Sequence, residues 1–387
     1  MPKVLVRGAS VRVAVYLHTL FNGGIERVMF DLAAEMMRRG IAVDVVVNTL
    51  EYSPMIEQLP KGASLVNLEC RGFLDRLPRL MRYLRTARPD AMLSAGHFSN
   101  EIAILARIFS HSKTRCVVTE HTNLGVELKT LGRMCPRRFA VPFLCTLLYR
   151  FADAMVAVSD GVRMDCERLF HLPPNRCITI RNPLDATGIR TRSMESLEHS
   201  WLSAGGPPVV LAIGRLELQK DFQMLLDAFA LLRQRIDARL IVLGEGSQRA
   251  SLLARVKQLK LEPWVEFPGF VANPYPYLRL AKVFCVSSRW EGLSVSLLEA
   301  LALGTPAVST DCPSGPREVL CDGRWGILTP VGDSRAFAEG LLRAIEAGAP
   351  EMSEDALQSY RVDSVTDRYL SLLLPGWNGH PVEAFPQ

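Results

Sequence analysis

The stretch Val283–Asp311, VFCVSSRWEGLSVSLLEALALGTPAVSTD, contains one full period of an alternating fold. Val283–Ser287 is a short apolar run of strand type, and Ser294–Ala302 places apolar residues at helical spacing. Gly304-Thr305-Pro306 breaks that helix, after which Ala307–Thr310 reads as a second strand. A helix between two strands, each apolar on both sides, predicts a parallel βαβ unit covered on both faces.

The same alternation extends outward in both directions. Further second-half strands are expected at Val209–Gly214, Leu240–Gly244, Val265–Phe267 and Gly326–Leu328, with helices at Phe222–Arg233, Arg249–Lys260 and Ser334–Ile345. The first half repeats the pattern with strands at Val11–His18, Val43–Asn48, Ser64–Leu68, Ala91–Ala95, Arg115–Glu120, Ala154–Ser159 and Ile178–Asn182. Helical stretches there include Ile25–Arg39, Leu77–Thr86 and Phe139–Phe151. The chain has 387 residues, more than one core normally organises. Two doubly wound α/β domains facing across a cleft follow: residues 1–190, a linker at 191–207 ending in Gly205-Gly206-Pro207, residues 208–375, and a Pro- and Gly-rich tail at 376–387.

Composition narrows the class. Hydrophobic residues make up 48% and charged residues 22%, as in a folded soluble protein rather than a disordered or fibrous one. The longest apolar run, Phe139–Tyr149, is 11 residues long and too short to span a bilayer. The opening MPKVLVRGAS lacks a secretory pattern, and nine cysteines without a C-x-x-C pair suit reduced thiols. A cytoplasmic location without a disulfide scaffold or Cys-based zinc site is expected. Charge is uneven: residues 1–190 carry 26 Lys+Arg against 17 Asp+Glu, and the remainder 19 against 23. The basic first half points to an anionic partner.

In paired doubly wound domains the ligand site lies where strands end, so the chemistry is expected in the loops that follow them. The strongest cluster is Glu291-Gly292-Leu293-Ser294-Val295 with Glu299. The helix start offers free N–H groups, and two carboxylates suit neutral hydroxyls as hydrogen-bond donors better than they suit phosphate. Alone, Glu291 would read as a helix-cap acid. Arg215 and Lys220, in GRLELQKDF, can neutralise a diphosphate without a metal, although either one alone would read as a surface ion-pair partner. Gly23 and Gly24 permit close backbone approach, and a plain tight turn accounts for them equally well. His121 follows a first-domain strand and faces the same cleft; a lone His is more often a packing residue. Asn182 ends the last first-domain strand. No P-loop, G-x-S-x-G, H-E-x-x-H or D-x-D metal motif is present.

Over about residues 11–350 this layout resembles the retaining glycosyltransferases of glycosyltransferase family 4, which have the two-domain GT-B fold. The resemblance rests on GGIERV, GRLELQKDF, VLGEGSQR, VEFPGFV, SSRWEGLSVSLLEALALGTPAVSTD and SGPREVL. It implies that the second domain binds a nucleotide-diphosphate sugar and the first an acceptor. Glu299 would hold the ribose hydroxyls, Glu291 would lie beside the sugar, Arg215 and Lys220 would hold the diphosphate, Gly24 would approach it, and His121 would face the transferred sugar. The segments around Gly244-Glu245-Gly246 and Phe267-Pro268-Gly269-Phe270 would frame the base. No cofactor and no metal are implied. The SGPREVL ending resembles enzymes of surface polysaccharides and lipid-linked oligosaccharides, so a UDP-linked hexose or N-acetylhexosamine and a lipid-linked or glycan acceptor are expected. GDP-mannose is the alternative donor, and a nucleotide-sugar epimerase or a silent binding protein the alternative activities. Position 294 is Ser where many members carry Pro or another small residue, which leaves the donor sugar open.

Arg71, Arg76, Arg79, Arg82, Arg85 and Arg88 crowd RGFLDRLPRLMRYLRTAR, and a second basic-apolar segment runs from Arg133 to Arg150. Peripheral contact with an anionic membrane, at the inner face of the plasma membrane, is one reading; a solvated Arg-rich face is the other. Nucleic acid is not expected, because aromatic platforms are not interleaved with these charges.

Overall fold

Along β1 (Arg12–Leu17) successive side chains enter opposite cores. Ala14 and Tyr16 join one buried cluster, and Val13, Val15 and Leu17 join another. A central parallel strand needs this arrangement. The computed structural model describes residues 11–21, 23–51, 53–203, 205–350 and 354–377; residues 1–10, Asn22 and the expected tail beyond 377 lie outside the described residues.

The first sheet is completed by β2 (Ala42–Val47), β3 (Ser64–Asn67), β4 (Ala91–Ala95), β5 (Arg115–Glu120), β6 (Ala154–Ala157) and β7 (Cys177–Thr179). All pairings are parallel, in the order β3-β2-β1-β4-β5-β6-β7. Its helices are α1 (Gly24–Arg38), α2 (Phe73–Ala87), α3 (His97–Ser110), α4 (Leu124–Thr130), α5 (Arg137–Leu148), α6 (Asp160–Leu169) and α7 (Ala186–Ser193). The second sheet, also parallel, has the order β10-β9-β8-β11-β12-β13. It comprises β8 (Val209–Ile213), β9 (Arg239–Leu243), β10 (Val265–Gly269), β11 (Val283–Val286), β12 (Ala307–Thr310) and β13 (Ile327–Thr329). Its helices are α8 (Phe222–Arg233), α9 (Arg249–Gln258), α10 (Tyr275–Leu280), α11 (Val295–Ala302), α12 (Pro316–Val319) and α13 (Ser334–Ala347), and α14 (Val362–Leu373) follows.

Strand order reverses beside β1 in the first sheet and beside β8 in the second, and these switch points set the crevice. Two connections differ from the expected partition. The segment expected to begin a linker at 191 is still helical, and α7 packs on α10 and α11 of the second domain. At the other end, α14 returns to the first domain instead of finishing the second. Its Val365, Tyr369, Leu370 and Leu373 join the core cluster of β1, and Arg39, at the C-terminal end of α1, donates to the Asp363 carbonyl at 2.9 Å. The physical reason is the amphipathic face of α14, which the second sheet leaves uncovered and α1 accepts. Among the described residues no helix is long and apolar enough to cross a membrane, and all nine cysteines are free.

Candidate active site

The switch-point loops enclose a cavity of about 510 Å³ between the domains, within the size range of ligand sites. Its wall includes Gly23, Gly24, His121, Asn182, Arg215, Lys220, Gly244, Glu291, Gly292, Leu293, Ser294, Val295 and Glu299. Residues widely spaced in sequence are thus gathered at one place.

Two glycines show how close the backbones come. A Cβ on Gly24 would sit 3.4 Å from Val295 Cγ2, so the first turns of α1 and α11 abut across the cleft. A Cβ on Gly292 would lie 1.9 Å from the His121 carbonyl oxygen, an overlap no side chain tolerates.

The loops after β8 and β11 are stitched together. Gln219 Nε2 donates to the Trp290 carbonyl at 2.9 Å, and Ser287 Oγ donates to the Lys220 carbonyl at 2.6 Å. Within this frame Lys220 Nζ lies 2.5 Å from Glu291 Oε1, which also accepts from Ser288 Oγ at 2.6 Å. The expected phosphate cation and the expected sugar-side carboxylate are therefore one another's partners, which their spacing in sequence does not reveal. Arg215 is exposed and faces the first domain. Burial raises Glu26 to about 7 and raises Glu127, and in both cases the nearby Arg215 guanidinium opposes the shift.

Glu299 is held from both domains. Its Oε1 accepts from Arg27 of α1 at 3.2 Å and from the Tyr275 hydroxyl at 3.0 Å. Its Oε2 is buried and without a hydrogen-bond partner among the described residues. A buried carboxylate oxygen with no donor is costly unless a ligand supplies one.

His121 is neutral at ordinary pH, because burial lowers it to about 4. The Thr119 hydroxyl donates to the Ser94 carbonyl at 2.9 Å, so its oxygen must accept from His121 Nε2, 2.8 Å away. That fixes the Nε2–H tautomer and leaves Nδ1 as a hydrogen-bond acceptor.

Of the two segments expected to frame the base, Gly244 and Phe270 line the cavity beside Val271 and Pro274, whereas Glu245, Phe267 and Gly269 stand outside its wall. Strand β10 runs to Gly269, two residues beyond the expected end, so Phe267 is mid-strand and packs on the second-domain core. Glu245 is exposed and pairs with Arg249 at 3.3 Å, while Gly269 accepts the Gly244 N–H at 2.8 Å. Sequence reading also passes over Arg27, Tyr275, Ser288 and the wall at Gly96, His97 and Phe98.

Residues 22–187 match the family described as Glycosyltransferase Family 4, and residues 207–347 match Glycosyl transferases group 1. An N-acetylgalactosamine-N,N'-diacetylbacillosaminyl-diphospho-undecaprenol 4-alpha-N-acetylgalactosaminyltransferase of Campylobacter jejuni is 30% identical over 349 residues, covering 87% of this chain and 90% of the relative. The chain belongs to glycosyltransferase family 4. The amylovoran biosynthesis glycosyltransferase AmsD of Erwinia amylovora is 26% identical over 92% of this chain and 95% of its own. Among solved structures, Anabaena HepE in complex with UDP and glucose superposes with a TM-score of 0.76 at 18% identity, covering 94% of this chain and 99% of HepE. Staphylococcus aureus TarM reaches a TM-score of 0.72 at 12% identity, covering 94% and 100%. The fold of this glycosyltransferase is GT-B.

Proposed function

We propose that this glycosyltransferase moves a hexose or N-acetylhexosamine from a UDP-sugar to a lipid-linked or glycan acceptor in surface-glycan biosynthesis, with retention of anomeric configuration and without a metal. The observation that carries the reading is the unpartnered Glu299 Oε2 in the same cavity as Arg215, Lys220 and Glu291. A nucleotide diphosphate supplies ribose hydroxyls for the unpartnered Glu299 Oε2, and phosphate oxygens for Arg215 and for Lys220, which would exchange Glu291 for them. The UDP complexes of HepE and the undecaprenol-linked acceptor named for the Campylobacter relative support the choice of donor and acceptor.

In this reading the first domain binds the acceptor and the second the donor. The acceptor hydroxyl attacks from the face the nucleotide leaves, and a leaving-group phosphate oxygen takes its proton. Arg215 and Lys220 stabilise the charge that develops on the diphosphate. Neutral His121 accepts a sugar hydroxyl at Nδ1.

The acceptor side also supports peripheral contact with a membrane from the cytoplasmic side. On α5, Phe139 and Phe143 are 66% and 73% exposed, flanked by Arg133, Arg137 and Arg138. The Arg137 guanidinium lies 4.9 Å from the ring centroid of Phe98, which lines the cavity. On α2, by contrast, Arg79 and Arg85 are engaged with the Leu68 and Phe109 carbonyls at 2.6 and 3.0 Å. The anionic contact is therefore assigned to α5 more than to α2.

The deciding experiment incubates the enzyme with radiolabelled UDP-sugars and GDP-mannose, a bacterial membrane extract and excess EDTA. Transfer from a UDP-sugar to extractable lipid supports the reading. Transfer from GDP-mannose alone changes the donor, and activity abolished by EDTA and restored by Mg²⁺ removes the metal-free mechanism.

A further inference from the structure

The segment Ser314-Gly315-Pro316-Arg317-Glu318 follows β12 of the second domain and has no task in the donor chemistry above. Its side chains reach the first domain. Glu318 Oε2 accepts the Asp160 main-chain N–H at 3.0 Å, and its Oε1 accepts that of Gly161 at 2.9 Å. These residues open α6, and the first N–H groups of a helix have no partner inside it. A carboxylate from one domain thus caps a helix of the other.

The neighbouring caps work the same way. Ser159 Oγ accepts from Val162 N at 3.2 Å within α6 and donates to the Gly292 carbonyl at 2.8 Å. Asn123 Oδ1 caps α4 by accepting from Val126 N at 3.1 Å. The Asn123 main-chain N–H binds the Glu291 carbonyl at 3.2 Å, and its Nδ2 donates to Ser314 Oγ at 2.9 Å. Each contact joins the first domain either to the loop carrying Glu291 or to the segment carrying Glu318. There is no slack at this seam: a Cβ on Gly161 would lie 2.8 Å from Ser314 Cα and 2.7 Å from its Oγ. Ser314 itself holds φ +67°, a conformation that L residues rarely adopt.

We propose that Glu318 is a positioning residue for transfer: by capping α6 across the cleft it holds the domains closed, with Glu291 and Gly292 against His121. Donor binding depends less on this contact, because Arg215, Lys220 and Glu299 lie in the second domain and the first adds only Gly24 and the Arg27 partner of Glu299. The inference rests on the donor reading given above for its kinetic arm and on geometry alone for its structural arm.

The test uses the full chain as parent, Glu318→Ala, Glu318→Gln and Gly161→Ala. Gly161→Ala adds a better helix former to α6, so the first domain keeps its own stability while closure meets Ser314. Small-angle scattering should show a larger radius of gyration for Glu318→Ala and Gly161→Ala than for the parent. Both should lower kcat about tenfold or more while UDP affinity by calorimetry stays within about twofold, a split that general misfolding does not produce. Glu318→Gln, which keeps one acceptor oxygen, should fall between. Parent-like scattering and turnover in Glu318→Ala would overturn the proposal whatever Gly161→Ala shows, as would equal loss of UDP affinity and kcat. If the parent itself neither binds UDP nor transfers sugar, the donor reading fails, and scattering alone decides whether Glu318 closes the cleft.

Discussion

Lys220 and Glu291 are predicted to be energetically coupled, and the structure sets the size of the effect. The side chains are 18% and 7% exposed and their charged atoms are 2.5 Å apart. At an effective dielectric of 20 this separation corresponds to about 6–7 kcal/mol of attraction before desolvation is subtracted. Removing one partner of a buried pair costs about 3–5 kcal/mol, since the other is left uncompensated. Glu291 keeps the Ser288 hydroxyl at 2.6 Å, which places Lys220→Met at the lower end, near 3 kcal/mol. Glu291→Gln should cost less, about 1–2 kcal/mol, because Lys220 can turn its ammonium to solvent. The double variant should be more stable than the sum of the singles by about 1–2 kcal/mol. Urea unfolding of the four proteins at neutral pH measures this. Saturating UDP should shrink the coupling, as the diphosphate draws Lys220 from Glu291. Additive single variants without nucleotide would refute the pairing.

The remaining predictions concern other groups. Glu299→Gln should weaken UDP and raise KM more than it lowers kcat, whereas Glu291→Gln should lower kcat with UDP affinity nearly intact; calorimetry paired with transfer rates checks the split, and the reverse pattern would exchange their roles. Burial raises Glu120 from 4.5 to about 8, so the folded state keeps a proton the unfolded state has lost. The stability it contributes is whole below about 4.5 and disappears as pH rises through about 8; Glu120→Gln should therefore gain stability relative to the parent between pH 5 and 8.5, and a pH-independent difference would contradict the shift. Phe139→Ser with Phe143→Ser should reduce binding to anionic phospholipid vesicles at low salt while leaving the thermal midpoint unchanged; undiminished binding would dismiss α5 as the contact.

What could be read from sequence follows from what sequence encodes locally. Strands such as Ala91–Ala95 and Arg115–Glu120 were legible to the residue, because a parallel strand buried on both faces is a short apolar run that loops interrupt. The Glu291–Glu299 segment was legible because strand, glycine and helix start are adjacent in the chain. Helix α3 was not: His97, Ser99, Asn100 and Glu101 are all buried, so its polar residues face inward and blur the helical period. Strand β10 continues two residues past Phe267, so within the expected segment it is Phe270, beyond the strand end, that reaches the cavity.

Contacts made between domains have no local signature at all. Arg27 stands one turn into α1, where nothing in the neighbouring sequence names its partner, yet it is 3.2 Å from Glu299 on the other side of the cleft. Glu318 reads as an acid in the first turn of a short helix, and in the fold it caps a different helix in a different domain. Both side chains depend on closure for their partners. Each loop proposed to bind the donor lies within one domain and can be read by itself. The groups proposed to hold His121 against Glu291 can be read only when the two domains are brought together.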